Sequence, residues 1–455
     1  MDLVVVSNRG PLSFTRGPGG RLVGHEGAGG LVSSLGPLVA SSGATWVAAA
    51  MNEGDRAAAA AGVIDAAGYR LVLLALDPEQ YRMAYEDVSN ATLWNLHHRL
   101  FDLARQPVVD AGWFEAWDAY RDVNRRFADA VAEVAPEGAA VLVQDYHLAL
   151  VGATLTVARP DLRLVHFTHT PFCSPSELGI LPPAVVAELL GGMAAHRACG
   201  FHTARWADAF ERGCGAVLGR APATFIAPLA PDIERLRKIA ASEECSAAAE
   251  RLDASYGERR LIVRVDRIEP SKNIVRGFLA YEDLLRRHPE WVERVTFLAL
   301  EYPSRETLPG YVAYRREIES MVAEINDRWR RPGWEPIVLD VADDVARSVA
   351  ALQNNDVLLV NPVRDGLNLV AKEGPLLNAR DGVLVLSHEA GAWDELGGAA
   401  LGVHPFDIRA TADALAHALS MGPRERARHA AAVRAAAAAR TPQDWLDDQL
   451  AAATR

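Results

Sequence analysis

Residues 361–373, NPVRDGLNLVAKE, form a dense polar run directly after a predicted strand, Asp356–Val360. Asp365 can accept hydrogen bonds from two sugar hydroxyls, and Gly366 permits a tight turn behind it. A helix predicted over Leu369–Leu377 would leave backbone N–H groups at Leu367, Asn368 and Leu369 free for phosphate oxygens. Glu373, one helical turn further on, can receive a ribose diol. A plain turn and capped helix would not require so many polar groups, so this segment suits a sugar nucleotide.

Four other segments place reactive residue types at strand ends. In RIEPSKN, Arg267 and Lys272 follow the strand Leu261–Val265 and precede a helix starting near Ile274. An arginine fork and a mobile lysine five residues apart can grip a diphosphate. In SNRG, Arg9 follows the strand Leu3–Val6. Further along, Gly27–Gly30 precedes a helical Leu31–Val39, where Gly29 and Gly30 fit a phosphate loop or a plain glycine turn equally well. In QDYH, Asp145 is either a carboxylate for substrate hydroxyls or the N-cap of a helix over Leu148–Ala158. In HFTHTPF, His166 and His169 lie three apart on a strand and point to opposite faces, which excludes a shared metal. His169 at the strand end is the candidate for the site and His166 a core histidine. His97 and His98 are structural.

The elements that must position these residues alternate along the chain. Apolar runs at Leu3–Val6, Tyr69–Leu76, Val141–Gln144, Arg163–Thr168 and Ala198–His202 read as buried strands. A second series follows at Leu261–Val265, Val295–Leu300, Ile337–Val341, Asp356–Val360 and Val383–Ser387. Helical stretches lie between them, including Ala91–Phe101, Trp113–Val134, Ile274–Arg287 and Tyr311–Trp329. Such alternation predicts an α/β chain with two doubly wound, Rossmann-like domains and ligands beyond the carboxyl ends of the strands. The break is expected in IAPLAPDIERL, giving domains 1–230 and 231–435. Residues 424–440 should form a solvated helix, and 436–455 a last helix able to pack back on the N-terminal domain.

The 59 acidic against 47 basic residues leave a net charge of −12, which argues against nucleic acid or an anionic membrane as partner. No apolar run has the length of a membrane span, and the opening residues lack a signal-peptide pattern. Four cysteines without metal or disulfide spacing fit a reducing cytoplasm. Small molecules are the expected partners, and a homo-oligomer is compatible with all of this.

Taken in order, VVVSNR, GGLV, SNATLW, VQDYHL, HTPF, GFHT, VDR with SKN, and VRDGLNLVAKE resemble the trehalose 6-phosphate synthase family over nearly the whole chain. That resemblance implies a GT-B fold, two Rossmann-like domains facing each other across a cleft. It also implies a retaining, metal-independent transfer of glucose from UDP- or GDP-glucose to glucose 6-phosphate, with no cofactor. Carried over by residue, it implies acceptor binding by Arg9, Tyr85, Trp94, Asp145 and Arg305, with His169 beside the donor glucose. Arg267 and Lys272 would hold the diphosphate, and Asp365, Gly366, Leu367, Asn368 and Leu369 the donor sugar and phosphate. Glu373 would meet the ribose. Catalysis would be same-face attack with the leaving phosphate accepting the acceptor's proton, aided by Arg267, Lys272, Asp145 and His169.

Departures from the family pattern stand at Trp46-Val47-Ala48-Ala49, where a second tryptophan is common, at Cys173, at Asn273 after the lysine, and at Gly374-Pro375. The first bears on acceptor identity. A pseudo-glycosyltransferase, a transferase with another phosphorylated acceptor, and a non-catalytic regulatory relative are the competing readings. The matched set of cleft residues favours glucosyl transfer.

Overall fold

Residues 2–17, 21–26, 30–40, 42–66 and 68–455 are described by the structure, a computed structural model. The chain divides into one unit of Met1–Leu229 with Pro442–Arg455 and a second of Ala230–Thr441.

Among the described residues, the first unit contains β1 (Leu3–Val6), β2 (Leu12–Arg16), β3 (Leu22–Glu26), β4 (Thr45–Ala49), β5 (Ile64–Ala66), β6 (Tyr69–Leu74), β7 (Ala140–Gln144), β8 (Arg163–Thr168), β9 (Ala198–Phe201) and β10 (Thr224–Ile226). Its main sheet has the order β10-β9-β8-β7-β1-β4-β6-β5, parallel except for the edge pair β5–β6; β2 and β3 form a separate hairpin. The second unit contains β11 (Arg260–Arg267), β12 (Val295–Tyr302), β13 (Ile337–Val341), β14 (Val357–Val360), β15 (Val383–Ser387) and β16 (Leu401–Val403). Its sheet is parallel in the order β13-β12-β11-β14-β15-β16.

Both orders contain the doubly wound pattern, in which the chain starts centrally, runs to one edge and returns to the other side of its first strand. The reversal falls between β1 and β7 in the first unit and between β11 and β14 in the second. The valines of β1 are fully buried, as sequestering both faces of a central strand requires. Each contributes roughly 1.5–3 kcal/mol by leaving water. The sequence expectation of two doubly wound α/β halves is correct.

Two expectations need correction. The helix expected over Ala91–Phe101 is instead a π-helix, Met83–Leu93, running into a short α-helix, Trp94–His98, that stops at Arg99 with φ +57°. Ser89 and Thr92 donate their hydroxyls to carbonyls five residues back, Ala84 and Asp87, both at 2.8 Å, which fits the wider turn. The helix expected to be solvated is Pro423–Ala437, and Arg426, Ala430, Val433 and Ala437 are buried along one face. Alanines are small enough to let that face close on the sheet, where Arg426 meets Asp356 at 3.3 Å. The strand β4, which the sequence expectations omit, lies inside the first sheet between β1 and β6.

Candidate functional site

In the second unit, the carboxyl ends of β11 and β14 are neighbours at the chain reversal, so the loops after Arg267 and Val360 emerge side by side. Lys272 Nζ meets Asp365 Oδ2 at 2.6 Å. Burial disfavours the ammonium, but Asp365 and Asp266 outweigh it and hold its pKa above the ordinary lysine value. The Asp365 carboxylate also accepts from Asn368 Nδ2 at 3.2 Å and from the Leu367 N–H at 3.4 Å. The expected free amide at Leu367 is thus corrected, because the aspartate organises its own turn before any ligand arrives. Gly366 lies within that turn, Asn368 adopts φ +79°, and Leu369 leads into the helix Val370–Leu377. Asn273, where the resembled family has glycine, adopts φ +61° and ψ +37°. Asparagine tolerates this left-handed conformation, and its side chain binds the carbonyls of Asn361 at 2.9 Å and Pro405 at 2.7 Å.

Glu269, which sequence reasoning passed over, is fully buried between two arginines. Arg267 Nη1 lies 3.4 Å from its Oε1, Arg305 Nη1 lies 3.9 Å away, and Ser304 Oγ donates at 2.9 Å. Burial works against its charge, yet Arg267, Arg305 and Lys272 bring its pKa down to about 2. One carboxylate therefore holds two guanidinium groups together, and Arg267 keeps about half its side-chain surface exposed. The signal available in the sequence was the acid between Arg267 and Lys272 in RIEPSK.

Beneath these loops lies a buried charge network. Arg264 donates to Asp266 at 2.7 Å, to the Lys272 carbonyl at 2.9 Å and to Asn361 at 3.2 Å, and its Nε lies 3.2 Å from Glu301. Glu373 keeps part of its surface open, but the protein around it pushes its pKa up to about 7 by desolvation. The neighbouring Lys372 turns inward to Glu395 at 2.7 Å.

In the first unit, the reversal places the ends of β1 and β7 together. Asp145 adopts φ +72° and ψ +169°, a costly conformation for a residue with a side chain. Its carboxylate makes no capping bond to the turn Tyr146–Leu148 and accepts instead from the His169 N–H at 3.1 Å. The N-cap alternative is thereby excluded, since the following helix is Val151–Ala158 and opens at Leu150. His169 Nε2 lies 3.0 Å from Gln144 Oε1. Burial, and then His202, press its pKa well below the ordinary histidine value, so the ring is neutral. His166 is fully buried beside the Asp145 carbonyl, as expected of a core histidine.

Arg9 Nη2 donates to the Tyr85 hydroxyl at 3.1 Å, and the Tyr85 ring stacks on His147 at 5.6 Å. Trp94 is buried against His98 at 3.9 Å and Tyr146 at 6.0 Å. The π-helix thus carries Tyr85 to Arg9 and delivers Trp94 to the next helix. Trp46, in contrast, is fully buried and donates its indole N–H to Ser7 at 2.8 Å. Gly30 opens the helix Gly30–Ala40, and Gly29 lies outside the described residues. Among the described residues no three His, Cys, Asp or Glu side chains are grouped to hold a metal, and no helix is long and apolar enough to cross a membrane.

The model for glycosyltransferase family 20 matches residues 1–455. A trehalose-6-phosphate synthase from Mycolicibacterium vanbaalenii is 34% identical, covering 98% of this chain and 94% of the relative. The structure of an α,α-trehalose-phosphate synthase (UDP-forming) from Burkholderia xenovorans in complex with glucose-6-phosphate superposes with a TM-score of 0.87 at 27% identity, covering all of both chains. A structure from E. coli, described as trehalose-6-phosphate bound with UDP-2-fluoro glucose, gives a TM-score of 0.87 at 27% identity, covering 100% of this chain and 99% of the other.

Proposed function

The chain belongs to glycosyltransferase family 20, and we propose that it moves glucose from a nucleoside diphosphate glucose to glucose 6-phosphate, forming α,α-trehalose 6-phosphate. The observation that carries this reading is the paired set at the β11/β14 reversal. Arg267 and Lys272 supply positive charge for a diphosphate next to Asp365, whose carboxylate is held ready for a sugar. The first unit offers Arg9, Tyr85, Trp94 and Asp145 for the phosphorylated acceptor, with His169 neutral beside Asp145. Arg305 adds a further anion-binding group next to Glu269. The names of the similar proteins support the same reading.

In the proposed reaction the acceptor hydroxyl attacks the anomeric carbon on the face the diphosphate leaves. The bond to the leaving phosphate breaks, and that phosphate takes the hydroxyl proton. The chain's residues orient the partners and stabilise the charge growing on the leaving group. UDP- and GDP-glucose are both proposed as donors, in the cytoplasm, with no cofactor beyond the substrates. Purified protein with EDTA, glucose 6-phosphate and a panel of nucleoside diphosphate glucoses should release nucleoside diphosphate and form trehalose 6-phosphate, read by mass spectrometry. No product with any donor would refute the assignment.

Arg9→Ala should raise the KM for glucose 6-phosphate about 10- to 100-fold, the effect of losing one hydrogen bond to a charged group. Slow hydrolysis of the donor in the absence of acceptor should stay unchanged. Equal loss of both activities would contradict an acceptor role.

Glu373 gives a pH signature. Its carboxylate forms as pH rises through about 7, so a ribose diol should be held better at pH 8 than at pH 6. Calorimetric titration with UDP- or GDP-glucose, whose diphosphate does not titrate there, should show affinity rising over that interval. In Glu373→Gln the affinity should be flat with pH. The ligand-free chain should behave oppositely. A pKa raised by folding stabilises fully below the ordinary glutamate value and is lost as pH rises through about 7. Melting curves of the parent should therefore fall between pH 5 and 8 by an amount the Gln variant lacks.

A further inference from the structure

The last helix, Pro442–Thr454, belongs to the first unit and packs against β7 and β8. Trp445 and Gln449 on that helix are fully buried. The Trp445 ring stands edge-on to Phe167 at 5.2 Å and lies 5.7 Å from the His169 ring. Gln449 Oε1 accepts from Gln144 Nε2 at 3.0 Å, and the Gln144 Oε1 at the other end of that amide faces His169 Nε2, also at 3.0 Å. The chain of bonds is directional. A glutamine whose NH2 is committed to Gln449 presents only its carbonyl to the imidazole, so His169 must bring a proton on Nε2. Asp145 fixes the same residue from its backbone N–H.

We propose that Gln449 is a positioning residue, which orients the Gln144 amide and thereby holds His169 as the neutral Nε2–H tautomer with Nδ1 left as a hydrogen-bond acceptor. A helix about 280 residues further along the chain thus fixes the imidazole that the family resemblance implies to stand beside the donor glucose. Nothing in the bond to Gln144 requires Gln449 to touch substrate. The neutral state that burial imposes on the ring is a condition of the relay, because an imidazolium would carry a proton on both nitrogens. Among the described residues Gln449 Nε2 is buried without a hydrogen-bond partner, an arrangement that costs stability. Its retained carbonyl contact is what the relay uses.

The inference rests on the proposed role of His169 only for its effect on turnover; the tautomer can be read without any reaction. In full-length protein labelled with 15N-histidine, the His169 ring nitrogens should show one protonated Nε2 and one bare Nδ1. Gln449→Met, which keeps the length and removes the acceptor, should give a mixture of tautomers and lower kcat about tenfold with little change in KM. Gln449→Glu, which still accepts from Gln144, should restore the single tautomer and much of the rate. An unchanged tautomer in Gln449→Met would overturn the relay. If the tautomer shifts while His169→Ala turns over at the parent rate, the relay stands and the catalytic role of His169 fails.

Discussion

Arg267→Ala should lower kcat/KM by about 10²- to 10³-fold, roughly 3–4 kcal/mol of transition-state stabilisation, the size of a lost oxyanion-type donor. Arg267 closes β11 at its carboxyl end, and Glu269 beside it is fully buried while the arginine stays about half exposed. A buried carboxylate fixed between Arg267 and Arg305 keeps the guanidinium in place before a diphosphate arrives, so little reorganisation is needed as negative charge grows on the leaving group. Removing Arg267 also takes a counter-charge from buried Glu269, so a modest fall in melting temperature is expected. An unchanged circular dichroism spectrum at the assay temperature would show that the loss of rate is chemical. Arg267→Lys should recover only part of the rate, because an ammonium cannot reproduce a two-pronged contact. Glu269→Gln should fall between parent and Arg267→Ala, since it keeps the arginine but loses the charge that positions it. A kcat/KM within threefold of the parent in Arg267→Ala would remove the diphosphate role.

That site was partly legible in the sequence because its polar groups interrupt apolar runs where strands end. Arg267, Lys272 and Asp365 stand out for this reason, and the strands Leu3–Val6, Arg163–Thr168, Ile337–Val341 and Val383–Ser387 have the expected bounds. Residues that build the site from inside a run were missed. Arg264 sits within β11 and Glu301 within β12, where alternation shows only that a side chain lies on one face, not that the face holds a counter-charge. The π-helix was hidden because YEDVSNATLW has helical composition, while the hydroxyl contacts at Ser89 and Thr92 that accompany its wider turn are visible only in space. Gln449 could not be read at all: its partner Gln144 lies 305 residues away. The buried face of Pro423–Ala437 had a signal, the spacing of Arg426, Ala430, Val433 and Ala437. Alanine and arginine, solvated by type, mask that spacing.

Arg264→Ala should destabilise the second unit by about 3–5 kcal/mol, the cost of stranding buried opposite charges. The guanidinium has no exposed surface, donates to Asp266, Asn361 and the Lys272 carbonyl, and lies 3.2 Å from Glu301. Gly277 exists at the contact for that reason, since a Cβ there would lie 2.5 Å from Arg264 Nη1. Without the arginine two carboxyl groups face each other in a dry interior, and the carbonyl that anchors Lys272 loses its donor. Burial already raises the Asp266 pKa and pushes that of Glu301 well above the ordinary range, with Arg264 opposing both. Removing Arg264 raises them further. Raised carboxyl pKa values stabilise the folded state fully at low pH and lose that contribution as pH rises through them. The deficit of Arg264→Ala should therefore be smaller at pH 5 than at pH 8. Amide hydrogen exchange across β11 and β14 at the two pH values would measure it strand by strand. Arg264→Met combined with Glu301→Leu should recover much of the stability, because an apolar set of similar volume can replace a buried ion pair. It should not recover kcat, because the Lys272–Asp365 pair would still sit on a loop that has lost its anchor. A deficit below 1 kcal/mol that does not vary with pH would mean that the network neither holds this loop nor carries the charge assigned to it.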